Sequence, residues 1–247
     1  MRRLRVAAAL IVAVAAVEGA LGQTITLDLA GGGSVARSAI NLFLVSTMLA
    51  LAPTLVIVAT SFTRVVVVLS LLRSALGLQQ TPPNIVITTL AIFMTLFIMA
   101  RPTDLAVTRG LEPYLGGKIN EEAAIQEVVA PFRAFMLKNT RPEDLDVFIA
   151  IAKRNSPDMK IAVEDDIPIR VVLPAFMLSE LRVAFEIGFL IYLPFLVIDL
   201  VVSAILMAMG MMMVPPVLVA LPFKLIYFVL TDGWRTLVSA LVDSYAY

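Results

Sequence analysis

Cysteine and histidine are both missing from the 247 residues. Without cysteine there is no disulfide framework, no thiolate nucleophile and no thiolate metal site. Without histidine the commonest general base, the commonest zinc ligand and the usual pH switch are gone. A histidine-dependent hydrolase or a zinc protease is therefore excluded. Charge is scarce as well. Charged residues make up 15% of the chain, against about 25% in an average soluble domain. Net charge is +0, so no basic face is available to release counterions from nucleic acid, which is not an expected partner. What is plentiful is apolar: 60% of the residues are hydrophobic. Apolar runs of about 20 residues recur, the length that crosses a hydrocarbon core. The expected class is an all-α, multi-pass helical membrane protein embedded in a lipid bilayer.

Residues 1–22 carry Arg2, Arg3 and Arg5, then an apolar run from Val6 to Val17, then Ala20 and Gly22 at −3 and −1 of a cut before Gln23. This is the pattern of a secretory signal peptide; the plain alternative is an uncleaved first helix. Cleavage between Gly22 and Gln23 leaves residues 23–37 as a short lead outside the membrane. A first hydrophobic hairpin is expected over 38–100. Arg64 and Arg73 are its only charges, and the positive-inside rule puts both on the cytoplasmic side. Between them the run VVVVLSLL reads as helix beside a bilayer, where backbone groups must be satisfied internally. Pro82 and Pro83 open the returning helix, Ile85–Ala100.

Charge concentrates in 101–170, with ten basic and twelve acidic residues. The stretch is expected to be a polar helical insert on the outer face. Within it, Ile125, Val128, Val129, Phe132, Phe135 and Met136 of residues 121–139 share one helical stripe, and Pro131 is expected to kink that helix. A second short helix is expected over Leu145–Lys153. Glu164, Asp165 and Asp166 read as a solvated cap rather than a metal cluster. No cofactor is expected.

The second hydrophobic hairpin, 171–235, holds the most informative stretch, and residues 236–247 read as a tail. Arg182 and Glu186 are four apart and expected to pair on one helical face. Glu180 has no evident partner in the chain, which points to a neighbouring subunit. Pro194 is expected to kink the helix. Asp199 and Lys224 flank a methionine-dense corner containing Met209, Met211, Met212 and Met213. If both arms are helical, each charge lies roughly 18–20 Å from the corner. The two then sit at similar depth and are expected to pair, within one chain or between subunits. Methionine is flexible and polarizable, so the corner reads either as apolar filling or as a compliant seal.

The runs TSFTRVVVVLSLLRSALGLQQTPPN (60–84), LPAFMLSELRVAFEIGF (173–189), PFLVIDL (194–200), MGMMMVPP (209–216) and LPFKLIYFVLTDGW (221–234) resemble the FliP family of flagellar biosynthetic proteins, whose sister is the SctR-type protein of type III injectisomes. The resemblance implies a core subunit of the flagellar export gate in the bacterial inner membrane. Several copies of the chain would stand with FliQ- and FliR-like subunits in a ring-like or helical gate, assisted by a FliO-like factor and flanked by FlhB- and FlhA-like proteins. The gate passes unfolded flagellar subunits. It also implies a methionine gasket at Met211, Met212 and Met213, beside Met209, and shared charged positions at Glu180, Asp199 and Lys224. In this family the hairpins sit largely above the membrane plane.

Two other classes fit the residues less well. An intramembrane protease lacks its residues: no histidine exists for a serine dyad, and Asp199 is the only mid-span acid where an aspartyl dyad needs two. A secondary transporter would use Asp199 and Lys224 as a coupling pair, but no inverted repeat is evident.

Overall fold

The structure is a computed structural model that describes residues 57–155, 167–211 and 213–245, together with residues 40, 42, 43, 46, 47, 50 and 54. The signal-peptide reading with its cut at Gly22 and Gln23, the acidic run Glu164 to Asp166, and Met212 lie outside the described residues. The chain divides into two compact units, residues 1–52 and 53–247.

Helix α1 spans Phe62–Ala75. Its four consecutive valines favour strand by propensity, yet Val65, Val68, Leu69 and Leu72 fall at helical spacing and are buried, so packing of one stripe decides for helix. The helix ends in a left-handed turn at Gly77, with φ of 76°. There the Gly77 and Leu78 amides donate to the Ser74 and Arg73 carbonyls, the C-terminal closure that glycine permits. Helix α2, Asn84–Ile98, starts behind Pro83 and buries Ile87, Ala91, Met94 and Ile98. Its far side leaves Phe93, Leu96 and Phe97 exposed.

Helix α3, Ala100–Leu115, leaves α2 at a bend of 59° and contains a π-turn at Val107–Leu111. Helix α4, Glu121–Asn139, is capped by Asn120, whose side chain accepts from the Ala123 amide at 2.9 Å. The helix runs on through Pro131. Its apolar stripe is only half buried. Phe135 and Met136 enter the core, whereas Ile125 and Val129 are exposed and Ala124 takes their place. The reason is Gly110, whose backbone lies against Ala124 and Val128 of α4, so small residues define that face. Helix α5, Pro142–Asn155, is longer at both ends than expected.

Helix α6, Ile169–Ala208, is the spine. It runs 40 residues with Pro174 and Pro194 inside it, about 60 Å at ~1.5 Å per residue. The helix is continuous through Pro194, where a kink is expected. Helices α1, α4, α5 and α7 all pack against α6. Helix α7, Pro216–Leu230, returns along α6. Helix α8, Gly233–Asp243, follows a bend of 63°. It buries Leu237 and Leu241, so most of the expected tail is a helix that packs into the core.

Two apolar clusters result. The larger gathers α1, α2, α4, α6 and α8 around Phe176, Leu72, Ile98 and Met136. The smaller holds Val202, Leu206 and Ala220, with Ile198, Val214 and Val219 beside them, and is built from α6, α7 and the corner between them. The outer half of the α6–α7 hairpin therefore extends beyond the larger cluster, on a small core of its own. Among the described residues no strand occurs.

Candidate functional site

The α6–α7 hairpin is antiparallel and in register about its corner. Phe195 meets Tyr227 and Phe228, with ring centroids 5.9 and 6.4 Å apart. One turn further, Lys224 Nζ donates to Asp199 Oδ2 at 2.7 Å. Beyond that, Val202 and Leu206 share a cluster with Ala220. The pairing of Asp199 and Lys224 is thus within one chain. Lys224 is 3% exposed and Asp199 27%.

Lys224 has a second acceptor that sequence reasoning missed, the carbonyl of Ala75 at 3.0 Å. This carbonyl is near the end of α1, where the glycine turn satisfies the Arg73 and Ser74 carbonyls. A helix C-terminus carries partial negative charge and favours a cation. Lys224 therefore ties three elements, α1, α6 and α7, at the level where the outer hairpin leaves the body. Among the described residues Asp199 Oδ1 is buried without a hydrogen-bond partner. No sequence spacing marks a backbone carbonyl 149 residues away as an acceptor.

A second charge node lies nearer the start of α6. Glu180 is 0% exposed and pairs with Arg64, itself 3% exposed. Arg64 Nε donates to Glu180 Oε2 at 3.1 Å and Nη2 to Oε1. The expectation that Glu180 serves a neighbouring subunit is corrected by this partner within the chain. Thr63 meets Met177, Arg64 meets Glu180 and Leu71 meets Gly188, so α1 runs parallel to α6 and its start lies beside the start of α6. One signal for Arg64 existed in the sequence: a lone charge in an apolar stretch marks a site by default.

The Arg182–Glu186 pair does not form. Glu186 accepts from Arg141 Nη1 at 2.9 Å, and Arg182 lies 3.7 Å from Asp144. Asp144 is buried, and Ser179 donates to it at 2.8 Å. The polar insert claims both residues because α5 packs directly on α6. Among the described residues no group of three or more His, Cys, Asp or Glu is placed to hold a metal ion.

At the outer end, α6 closes in a second glycine turn. Gly210 has φ of 73°, and the Gly210 and Met211 amides donate to the Met207 and Leu206 carbonyls. The turn throws the methionines outward. Met209 and Met211 are exposed, and Met213 is 98% exposed. An apolar hollow of about 470 Å³ runs beside them, walled by Val201, Ile205, Met209, Met211, Val219 and Phe223.

Helix α6 is long and apolar enough to cross a membrane, and the bent pairs α2–α3 and α7–α8 are so if each counts as one span. With ion pairs buried at two depths along that helix, the class is a helical membrane protein. The FliP family matches residues 45–241, and the chain belongs to it. Similar proteins named Flagellar biosynthetic protein FliP occur in distant bacteria. That of Rhizobium meliloti (strain 1021) is 47% identical over 242 residues, covering 96% of this chain and 98% of that protein. That of Aquifex aeolicus is 49% identical, covering 87% and 89%. That of Bacillus subtilis (strain 168) is 45% identical, covering 84% and 92%.

Proposed function

We propose that the chain is a core, non-enzymatic subunit of the flagellar type III protein export gate. On this reading it is a multi-pass protein of the bacterial inner membrane that assembles with copies of itself and FliQ- and FliR-like subunits, next to FlhB- and FlhA-like proteins and with a FliO-like assembly factor. Residues 101–170 face the periplasm, and unfolded flagellar subunits are the cargo. The observation that carries the reading is the outer half of the α6–α7 hairpin. It projects from the body, is tied back at Lys224, and ends in exposed methionines beside an apolar hollow. Several such tips around one axis make a constriction of flexible, polarizable side chains, which closes when empty and conforms to passing polypeptide. Met209, Met211, Met212 and Met213 form that seal, and Asp199, Lys224, Glu180, Arg182 and Glu186 hold each hairpin to its body.

Replacing Met211, Met212 and Met213 by alanine removes the seal and leaves both charge nodes intact. The expected outcome is a complex that assembles in normal yield but conducts ions when reconstituted in liposomes. A tight, non-conducting complex from that variant would remove the gasket from the reading.

A further inference from the structure

We propose that Ser244 and Tyr245, the two residues that follow α8, are a closing latch on the buried Arg64–Glu180 pair. The pair joins α1 to α6, but neither partner is satisfied by the other alone. Arg64 Nη1 donates to the Ser244 carbonyl at 3.1 Å and lies 3.0 Å from Ser244 Oγ. The Tyr245 hydroxyl donates to Glu180 Oε2 at 2.6 Å and lies 3.2 Å from the Ser61 carbonyl. The Tyr245 ring lies against the guanidinium, with Arg64 Cζ 3.9 Å from the ring centroid. The ring's surroundings include Phe135 of α4, at 5.7 Å between centroids and 21° between planes. Phe135 in turn meets Phe176 of α6 edge-on at 6.0 Å.

Consider the same core with Ser244 and Tyr245 withdrawn. Arg64 Nη1 loses both acceptors, Glu180 Oε2 loses its phenolic donor, and the guanidinium loses the aromatic face that covers it. The ions stay between α1 and α6, where a half-satisfied charge is far costlier than a satisfied one. The docked position of these two residues is therefore strongly preferred over any open one. The latch joins residues 180 positions apart in sequence, so the pair at the start of the body is completed only when the chain has been made past α8. Tyr245 is a positioning residue in this scheme: it acts through Glu180 and Arg64.

The inference stands apart from the export reading, because its test reads the stability of the chain itself. The full chain is extracted from membranes in its complex and melted. Tyr245→Phe keeps the ring on Arg64 and Phe135 and deletes only the hydroxyl. Its expected effect is a melting temperature lower by about 3–12 °C, from the range for a hydrogen bond to a charged group in a chain of this size. In an Arg64→Met/Glu180→Met background no ion remains to be completed, and the shift falls to about 1–6 °C, the share of the hydroxyl's bond to the Ser61 carbonyl. Equal shifts in the two backgrounds, or none in the native one, overturn the latch. Where the double variant is not recovered, hydrogen exchange decides. Tyr245→Phe then speeds exchange of the α8 amides, Gly233–Asp243, if the hydroxyl is the catch, and leaves them at native rates if it is not.

Discussion

Lys224→Met is the sharpest single perturbation of the projecting hairpin. The methionine fills most of the lysine's volume and removes its charge. Two acceptors lose their donor at once, Asp199 Oδ2 at 2.7 Å and the Ala75 carbonyl at 3.0 Å. Breaking a buried ion pair from one side costs about 3–5 kcal/mol. Asp199 keeps 27% exposure, which places the cost near the lower bound, about 3 kcal/mol. An orphaned carbonyl adds about 1 kcal/mol. The total of about 4 kcal/mol corresponds to a fall in melting temperature of about 8–16 °C for a chain of this length. The double variant Asp199→Leu/Lys224→Met removes the stranded carboxylate and leaves only the Ala75 carbonyl unpaired. Its expected fall is about 2–4 °C. Thermal melting of the detergent-extracted complex measures both. A single variant that melts with the native protein, or a double variant no better than the single, refutes the reasoning. Exchanging the charges, Asp199→Lys/Lys224→Asp, is expected to fail as a rescue. It sets a carboxylate against the Ala75 carbonyl, at the electronegative end of α1.

Two further substitutions test how the helices approach one another. Gly188→Ala drives a methyl onto Leu71 Cδ1 and to 3.2 Å from its Cβ, where α1 and α6 run side by side. A loss of about 1–3 kcal/mol is expected from overpacking, read as a lower melting temperature, and a native melting temperature would show that the two helices can part freely. By contrast, Arg141→Ala is expected to cost under about 1 kcal/mol through its ion pairs, since Arg141 and its partners Glu143 and Glu186 are exposed and such pairs are weak; a fall of the size expected for Lys224→Met would assign the insert a stronger grip than its surface pairs explain.

The hairpin was legible in the sequence because its signals are local and symmetric. Asp199 and Lys224 are near-equal distances from one corner, and a helix rises by a fixed step, so their meeting follows from counting. The helical state of the valine run was legible for a different reason: beside a bilayer its backbone groups must be satisfied internally. Arg64 and Glu180 were not brought together by counting, because 116 residues separate them and the hydropathy rules that place charges treat arginine as a surface residue. The direction of α1 was lost with them. Arg182 and Glu186 show the opposite failure. Their spacing suits a pair, but α5 packs on α6 and offers Asp144 and Arg141 at closer reach. Tyr245 gave no signal at all: an aromatic residue beyond the last apolar run is ordinary, and only the fold turns it inward.

The two charge nodes on α6 have a consequence for depth. Glu180 and Asp199 are 19 positions apart on one continuous helix, a spacing of about 28 Å. A hydrocarbon core is about 30 Å thick. The nodes thus act as gauge marks set one membrane thickness apart. When one stands at a boundary, the other stands near the opposite boundary; sliding the chain to bring either to the midplane carries the other out of the lipid tails. The full helix, near 60 Å, is about twice that thickness, so an upright helix keeps at least about half of its length clear of the hydrocarbon.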